Sequence, residues 1–426
     1  MAKSKKDAPP KSALDEIFAQ LIGQHNTVSA GSATLGTHMD SEITTWVDTG
    51  LMNFNMILSN RPDGGWPCGR IVEVFGKEST GKSTLGYAAM ASAQAAGGIA
   101  IYADIEKTGN KSFMKLLGID LDKLIITDIP EIEKLFTALE RNLTLITQSG
   151  KFKNKPVMIV VDSVSALQTD AEMEGGYEYN MNVAMGKAKM LGKALKKIVP
   201  FLTNANACLY FVNQVRDNVT GYGQNYVVPG GNAIPFYSSI RIHLEGRTKI
   251  VLKDQTLEND YQDALAKYKA AGGKKAGLIA PEKPKQNKDT ETTIGYEVVA
   301  FTRKNKTAPA DRRVSFRIIF SQGLFEEECW LASCIKYGII KKVGSKHVLV
   351  GIDNDWGEFT EKQWIPKLQK DEKLYELIRE TLIQKMTIPI EYDKTKYTVE
   401  DEAINTDADG YDVPEEKEED NDDLAF

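Results

Sequence analysis

The 426-residue sequence has few cysteines and histidines, and its apolar residues never form a long run. Its cysteines, Cys68, Cys208, Cys329 and Cys334, are too few and too scattered for a disulfide framework. Neither they nor the four histidines have zinc-ligand spacing. No stretch approaches the roughly 18 apolar residues of a membrane-spanning helix, and the basic start, "MAKSKKDAPPKS", lacks the apolar run of a secretory signal. These absences predict a reduced, cytoplasmic protein without a structural metal or a membrane partner.

Negative charge is concentrated near the end of the sequence. Residues 400–426 contain thirteen acidic residues and one lysine; the whole chain has a net charge of −6, so the residues before 400 carry +6. A mildly basic body with an acidic tail is typical of a protein that binds a polyanion and regulates that binding. A tail that only solvates the protein explains the charge equally well.

Strand and helix patterns alternate from residue 70 onwards. Continuous apolar strands such as "RIVEVF", "PVMIVVDS" and "ACLYFVNQ" are separated by helical patterns such as "EIEKLFTALERNLTLITQS". This order predicts an α/β fold, with a parallel sheet covered on both faces by helices. The later segments "SSIRIHLEG", "GYEVVAFTRKN" and "RRVSFRIIF" are predicted to extend one edge of the sheet as antiparallel strands.

Four segments follow from these patterns. Residues 1–48 are predicted to be a helix and an arm, because "SALDEIFAQLIGQH" has apolar residues at helical spacing after a serine cap; the helix packs either on a neighbouring subunit or into its own core. Residues 49–322 form the α/β core, with a lysine-rich excursion at 248–290 that contains one short helix, "NDYQDALAKYKAA". Residues 323–398 form a small α/β unit, and residues 399–426 form the acidic tail.

The segment "VFGKESTGKST" predicts a phosphate site. Its G-x-x-x-x-G-K-S pattern lies between a strand and a helix, the context that a P-loop requires. Backbone N–H groups and the helix N-terminus bind phosphates there, while Lys82 reaches the β- and γ-phosphates and the Ser83 hydroxyl binds Mg²⁺. The predicted nucleotide-binding residues are Gly76, Lys77, Glu78, Ser79, Thr80, Gly81, Lys82, Ser83 and Thr84.

Three carboxylates lie at the ends of buried strands. Asp162 ends "VMIVVD" and is predicted to hold the Mg²⁺ shell, with a helix cap as the alternative. Glu106 follows "IAIYAD", where a carboxylate can orient or deprotonate an attacking water. Asp104 is an equal candidate for that role on the chemistry of the sequence alone.

Together these stretches resemble the bacterial and phage RecA family of DNA recombinases. The resemblance covers roughly Thr49 to Met386 and rests on "GRIVEVFGKESTGKST", "IYADIEKT", "VMIVVDSVSAL", "FVNQVR" with "PGGNAIPFY", and "RKNKTAP". It implies a DNA-stimulated, Mg²⁺-dependent ATPase that forms helical filaments on single-stranded DNA and exchanges strands with double-stranded DNA. The alternatives are a hexameric helicase or motor on the same core and an accessory ATPase that remodels filaments. Its compactness and its departures from bacterial members suggest a phage-encoded protein.

The resemblance implies roles for individual residues. Glu106 stands at the position of the catalytic glutamate, and Gln214 at that of the γ-phosphate sensor. Lys304 and Lys306 are implied to contact ATP on the neighbouring subunit, as an arginine finger does. Phe113 either stacks on adenine or belongs to a helix core.

Two long loops are implied to bind DNA along the filament axis, one at 172–189 and one between Val212 and Ser239. The expected contacts are Gly175, Met181 or Asn182, and Lys187 in the first loop, and Arg216, Val219, Gly230 and Gly231 in the second. Arg216 would contact phosphate and Val219 would act as an apolar wedge between bases. The loop tyrosines, Tyr177, Tyr179, Tyr222 and Tyr226, either stack on bases or pack within the loops.

Some features depart from the family or extend it. Pro235 precedes the interface residue Phe236, where many bacterial members have a lysine, and the excursion at 248–290 is unusually long. The small unit is implied to capture duplex DNA, and the acidic tail to inhibit DNA binding. The last residues, "NDDLAF", resemble the acidic, Phe-ending tip of single-strand-binding proteins, and suggest such a protein or a filament loader as a partner.

Overall fold

The protein is described by a computed structural model over residues 24, 43–174, 181–217, 226–252, 256–271, 280–281, 292–320 and 322–388. The chain divides into two compact units, Met1–Thr44 and Thr45–Phe426. The predicted arm helix and acidic tail lie outside the described residues, apart from Gln24. The second unit contains the sheet and the sites considered below.

The strands of the described residues are mostly short. In chain order they are β1 (Trp46–Val47), β2 (Trp66–Pro67), β3 (Ile71–Gly76), β4 (Ile99–Asp104), β5 (Leu124–Thr127), β6 (Val157–Asp162), β7 (Ala207–Gln214), β8 (Arg216–Asp217), β9 (Tyr226–Val227), β10 (Ile240–Leu252), β11 (Thr292–Asn305), β12 (Arg313–Ile319), β13 (Gly323–Phe325), β14 (Ile340–Val343) and β15 (Lys346–Leu349). Nine of them form one sheet in the order β13-β12-β11-β10-β3-β7-β6-β4-β5.

Several helices of the described residues flank this sheet. In chain order the helices are α1 (Met52–Ser59), α2 (Lys82–Ala95), α3 (Lys111–Leu116), α4 (Ile132–Ser149), α5 (Asp170–Glu174), α6 (Met181–Asn204), α7 (Ala233–Tyr237), α8 (Thr256–Ala270), α9 (Glu327–Lys336), α10 (Trp364–Lys370) and α11 (Glu372–Met386). No helix among the described residues is long and apolar enough to span a bilayer.

Both faces of the sheet are buried, which confirms the predicted α/β class. Val72 and Val74 of β3 belong to a core cluster with Leu85 of α2. Ile71, on the opposite face, belongs to a second cluster with Leu135 of α4. Because successive residues of a strand point to opposite faces, a central strand covered by helices on both sides must be apolar throughout. The continuous apolar runs in the sequence have this cause.

One predicted strand direction was wrong. β10, expected to be antiparallel to the core sheet, pairs parallel with β3, with Ile240 opposite Val72. The antiparallel arrangement begins only at the next pair, β10 and β11, and continues through β12 and β13. The reason is the route of the chain, which passes from the end of β7 through α7 back to the opposite end of the sheet before β10 begins.

Two predicted loops contain more regular structure than expected. In the stretch at 172–189, α6 already begins at Met181, because Met, Ala and Lys favour a helix once the glycines and tyrosines are passed. The long second loop contains β8, β9 and α7. In the excursion at 248–290, β10 continues to Leu252, and the predicted helix is present as α8, which begins three residues earlier than predicted.

The small unit after β13 packs on the core without a separate interior. Trp330 of α9 and Ile378 of α11 belong to the same buried cluster as Phe54 of α1. Glu326 strengthens this junction, because its carboxylate accepts hydrogen bonds from the backbone N–H groups of Met52 and Asn53 at the start of α1. Helix α1 has no side-chain cap of its own, so a residue 274 positions away caps it.

Candidate functional site

The predicted P-loop connects the end of β3 to the start of α2. Gly81, just before α2, has a φ of +90°, and a Cβ at that position would collide with the side chain of Ile318. A Cβ at Gly76 would lie 2.6 Å from the carbonyl oxygen of Leu244. Both glycines are therefore required because the loop packs tightly against the neighbouring strands.

Lys82 lies inside this loop and is buried. Its Nζ donates hydrogen bonds to the carbonyl oxygens of Gly76, at 3.0 Å, and Lys77, at 2.6 Å. Burial lowers the pKa of Lys82 to about 8, although Asp162 and Glu106 oppose the shift. The loop therefore encloses a cation that is held by two backbone carbonyls of the loop itself.

A cavity of about 200 Å³ opens beside the P-loop. It is lined by Glu78, Ser79, Gly81, Lys82, Ser83, Thr84, Glu106, Asp162, Val212 and Gln214. Residues predicted from four separate stretches of sequence, the P-loop and the ends of β4, β6 and β7, therefore meet at one point. This is the carboxyl-end edge of the parallel strands, where open α/β sheets bind ligands.

Ser83 and Asp162 form the part of this cavity that suits a divalent cation. Asp162 is 3% exposed, and burial raises the pKa of its carboxyl to about 6, against a hydrogen bond from Ser83. A hydroxyl and a carboxylate are hard oxygen ligands, and Mg²⁺ bound at nucleotide sites commonly takes one or two of these together with phosphates and waters. This pair of oxygen ligands therefore fits an ion that binds together with a phosphate.

The two carboxylates at the end of β4, Asp104 in the strand and Glu106 just after it, have different surroundings. Asp104 accepts the backbone N–H groups of Thr108 and Gly109, each at 3.1 Å, and so holds the following turn. Glu106 lines the phosphate cavity. Its Oε1 accepts hydrogen bonds from the Ser163 hydroxyl and, at 3.3 Å, from Gln214 Nε2. The geometry thus separates two residues that were equivalent in the sequence.

A second cavity, of about 410 Å³, adjoins the P-loop on its other side. Its wall is mainly aromatic and apolar, and comprises Ser79, Gly81, Thr84, Asn110, Phe113, Tyr296, Ile318 and Phe320. Phe113 is partly buried and packs against the core, which agrees with the helix-core alternative; it also lines this cavity, and its stacking on adenine stays a prediction. Phe320 is 50% exposed and meets Tyr296 edge to face, with ring centroids 5.5 Å apart.

The described ends of the second loop lie beside the P-loop, since Arg216 and Tyr226 line a cavity together with Lys77, Glu78 and Thr80. Arg216 of β8 pairs with Val227 of β9 as a short antiparallel ribbon, and Arg216 is exposed. Val219 and Tyr222 lie outside the described residues. Tyr226 packs on His243, with ring centroids 4.9 Å apart, which is the packing alternative for this tyrosine.

The two glycines at the exit of the second loop turn the chain tightly. Gly230 has a φ of +103° and Gly231 a φ of +63°. A Cβ on Gly230 would lie 3.2 Å from Val164, and one on Gly231 would lie 3.0 Å from Ala188. Their backbone conformation and their packing therefore require glycine, whatever they bind.

Of the first loop, Gly175, Tyr177 and Tyr179 lie outside the described residues, and Met181 and Asn182 begin α6. Lys187 donates a hydrogen bond to the carbonyl oxygen of Ser165 at 3.1 Å, and burial lowers its pKa. The Ser165 hydroxyl in turn contacts that of Ser163, the partner of Glu106. Both loops are thus connected to the same carboxylate.

Comparison with known proteins agrees with this geometry. The family model of the RecA N-terminal domain matches residues 13–280, more than half of the chain. The chain belongs to the RecA family. Protein RecA of Borrelia hermsii is 35% identical over 283 residues, 66% of this chain and 67% of the relative. Protein RecA of Chlamydia pneumoniae is 29% identical over 380 residues, 87% and 90% of the two chains, and that of Chlamydia abortus is 30% identical over 336 residues, 79% and 82%. RecA family members are DNA-dependent ATPases of recombination and repair.

The RecA resemblance implies a subunit interface that includes Lys304, Lys306 and Phe236. Lys304 lies at the end of β11, Lys306 follows this strand, and Phe236 belongs to α7. Lys304 Nζ donates to the carbonyl oxygens of Pro235, at 2.6 Å, and Phe236, at 3.2 Å. Burial and the neighbouring Lys306 lower the pKa of Lys304 to about 8. Phe236 is 71% exposed. Neither lysine lines the phosphate cavity of its own chain.

Several residues around the RecA-type site were not predicted from the sequence. Ser163 directly follows Asp162, but nothing in the pattern shows that its hydroxyl reaches Glu106. Tyr296 and Phe320 join the aromatic cavity only through the pairing of β11 with β12, where Tyr296 stands opposite Ile318. Asn213 is fully buried beside Gln214 and was read as part of an apolar strand.

Proposed function

We propose that this chain is an ATP-dependent DNA recombinase. It assembles as a helical filament on single-stranded DNA in the cytoplasm, pairs that strand with homologous double-stranded DNA and exchanges strands, with ATP hydrolysis stimulated by DNA. The observation that carries the proposal is the contact of Gln214 with Glu106, because it connects the phosphate cavity to the strand that leads into the second DNA loop.

The phosphate cavity supports ATP as the substrate. The backbone of the P-loop and Lys82 bind the phosphates, and the base lies in the aromatic cavity beside Phe113. Ser83 and Asp162 hold Mg²⁺, which neutralises charge on the phosphates. Glu106 orients or deprotonates the attacking water. Hydrogen bonds from the side chains of Ser163 and Gln214 fix the position of its carboxylate for this role.

The half-buried Lys304 and the exposed residues Lys306 and Phe236 support a shared ATP site. In a filament, the two lysines of one subunit contact ATP held by its neighbour, and Phe236 packs on that neighbour. Lys304 is held by two carbonyls of α7, next to Phe236, so the cation and the apolar contact move as one unit. ATP is then hydrolysed only where two subunits meet.

Both loops are proposed to face DNA. Arg216 is an exposed cation at the entrance of the second loop and supplies a phosphate contact. The remaining proposed contacts are Lys187, Met181 or Asn182, Gly175, Val219, Gly230 and Gly231. Because Lys187 is bound to Ser165, it must exchange that partner to reach DNA, and its contribution is expected to be smaller than that of Arg216.

ATP turnover measured with and without single-stranded DNA, together with negative-stain imaging of the same samples, tests the proposal. The expected result is strong stimulation by DNA and open helical filaments. Closed six-fold rings would instead support a helicase or motor. Absence of both stimulation and assembly would contradict a DNA-dependent role for the two loops.

A further inference from the structure

Asn213 connects the two ends of the second loop. It lies next to Gln214 at the end of β7 and is 0% exposed. Its Nδ2 donates one hydrogen bond to Glu73 Oε1, at 2.9 Å, and another to the carbonyl oxygen of Pro229, at 2.8 Å. Pro229 lies just after β9, so one side chain joins the strand that enters the loop to the residue where the chain leaves it.

The chemistry of its partners fixes the orientation of this amide. A carboxylate and a backbone carbonyl only accept hydrogen bonds, so the NH₂ group must face both of them. Both amide hydrogens are thereby used. The bond to Glu73 is buried, so loss of its donor would leave a buried carboxylate oxygen without that partner.

Glu73 is itself held rigidly. It is 0% exposed and its Oε2 accepts a 2.6 Å hydrogen bond from Arg241 Nε, in a pair whose arginine side chain is 3% exposed. Glu73 lies on β3, four residues before Lys77 of the P-loop, and Arg241 lies on β10. Asn213 is therefore anchored to the centre of the sheet by a buried ion pair.

The neighbouring side chain faces the nucleotide site. Gln214 Nε2 contacts Glu106 Oε1 at 3.3 Å, while Asn213 contacts Pro229. Adjacent residues of one strand point to opposite sides, so the end of β7 has the phosphate cavity on one side and the exit of the loop on the other. A displacement of β7 at Gln214 must move the donor that holds Pro229.

We propose that Asn213 is a positioning residue that couples the nucleotide state to DNA binding by tying Pro229 to the end of β7. This inference rests on the proposed function. The nucleotide site is then coupled to both ends of the second loop: to its entrance through Gln214, which leads directly into β8, and to its exit through the bond of Asn213 to Pro229. A protein without the Asn213 side chain still binds the nucleotide, but the position of Pro229 at the exit of the loop no longer depends on whether ATP or ADP is bound.

The affinity of a fluorescent single-stranded oligonucleotide, measured with a non-hydrolysable ATP analogue and with ADP, tests this role. The ratio of the two affinities is the coupling, which in allosteric proteins is typically about 5- to 150-fold. In Asn213→Ala the ratio should fall towards one, while the affinity for a fluorescent ATP analogue stays within about twofold of the wild type, since Asn213 does not line the phosphate cavity.

Asn55→Ala is the matched control. Asn55 is 1% exposed and its Nδ2 likewise bridges two acceptors, Asp48 Oδ1 at 2.6 Å and the carbonyl oxygen of Pro62 at 3.0 Å. It lies on α1 and lines neither nucleotide cavity. This variant should keep the wild-type ratio; an equal loss in Asn55→Ala would mean general destabilisation and overturn the inference.

A measurement on the wild type covers the case in which Asn213→Ala does not fold. Amide hydrogen exchange at Gly230 and Gly231, without DNA, should change when the ATP analogue replaces ADP; unchanged exchange would overturn the inference. Equal DNA affinity of the wild type with both nucleotides would contradict the proposed function itself. If the DNA affinity of the wild type depends on the nucleotide and that of Asn213→Ala depends on it to the same extent, only the role of Asn213 would be overturned.

Discussion

Two carboxylates lie at the end of β4, and exchanging each for its amide should have different effects: Glu106→Gln should mainly lower catalysis, and Asp104→Asn should mainly lower stability. Glu106→Gln keeps the shape of the side chain and one oxygen to accept a hydrogen bond from Ser163 or Gln214. It removes the negative charge that orients or deprotonates water. A general base contributes about 10²- to 10⁴-fold, so the hydrolysis rate should fall by that factor, which corresponds to roughly 3–5 kcal/mol of transition-state stabilisation.

The counterpart, Asp104→Asn, changes a residue with two backbone partners. Asp104 accepts N–H groups of Thr108 and Gly109, each at 3.1 Å. An amide can accept only one of them and turns its NH₂ towards the other, which should cost about 1–3 kcal/mol of folding stability. Hydrolysis should fall by less than about tenfold, because the group that acts on water is unchanged.

Three measurements on the same variants distinguish a catalytic Glu106 from a catalytic Asp104. They are single-turnover ATP hydrolysis in the presence of single-stranded DNA, nucleotide affinity and urea denaturation. Glu106→Gln should bind ATP and DNA, remain stable and barely hydrolyse. Full hydrolysis by Glu106→Gln with an inactive but stable Asp104→Asn would refute the reasoning and assign the catalytic role to Asp104.

Three further predictions concern the P-loop, the subunit interface and the junction with the small unit. Lys82→Ala removes the cation inside the P-loop and should abolish binding of a fluorescent ATP analogue; undiminished turnover would contradict the P-loop assignment. Lys304→Ala and Glu106→Gln should each hydrolyse ATP poorly when present in every subunit, but a mixture of the two should recover part of the DNA-stimulated turnover, because the ATP of a Lys304→Ala subunit can receive Lys304 from a Glu106→Gln neighbour; no recovery on mixing would exclude the contact between subunits. Burial raises the pKa of Glu326 from 4.5 to about 7, so the stability that its proton supplies is present below about pH 4.5 and is lost as the pH rises through 7. Between pH 5 and 8 the free energy of unfolding should therefore fall by roughly 2–3 kcal/mol relative to Glu326→Gln, and parallel denaturation curves of the two proteins against pH would contradict this.

The features predicted correctly from the sequence are those that local patterns determine. Continuous apolar strands predicted the parallel sheet because both of its faces are covered. The glycines and Lys82 of the P-loop were predictable because a short turn between a strand and a helix leaves few ways to enclose a phosphate. The position of Asp162 beside the phosphate cavity followed from its place at the end of a buried strand, whereas its role in binding Mg²⁺ stays a prediction.

The features that the sequence did not reveal depend on the pairing of distant segments. Asp104 and Glu106 are two residues apart, and only the turn that Asp104 holds distinguishes them. Asn213 follows six residues of an apolar strand, and its partners Glu73 and Pro229 come from β3 and from beyond β9. The parallel direction of β10 likewise depends on the route of the chain from β7 through α7, which no local pattern specifies.

A strand-exchange assay tests the central claim most directly. The protein is assembled with ATP on a single-stranded oligonucleotide and mixed with a fluorescently labelled duplex that is either homologous or unrelated in sequence. The account predicts that the labelled strand is released only from the homologous duplex and only when ATP or its analogue is present. Release from both duplexes at equal rates would indicate unwinding by a motor, and release from neither would contradict the proposed recombinase.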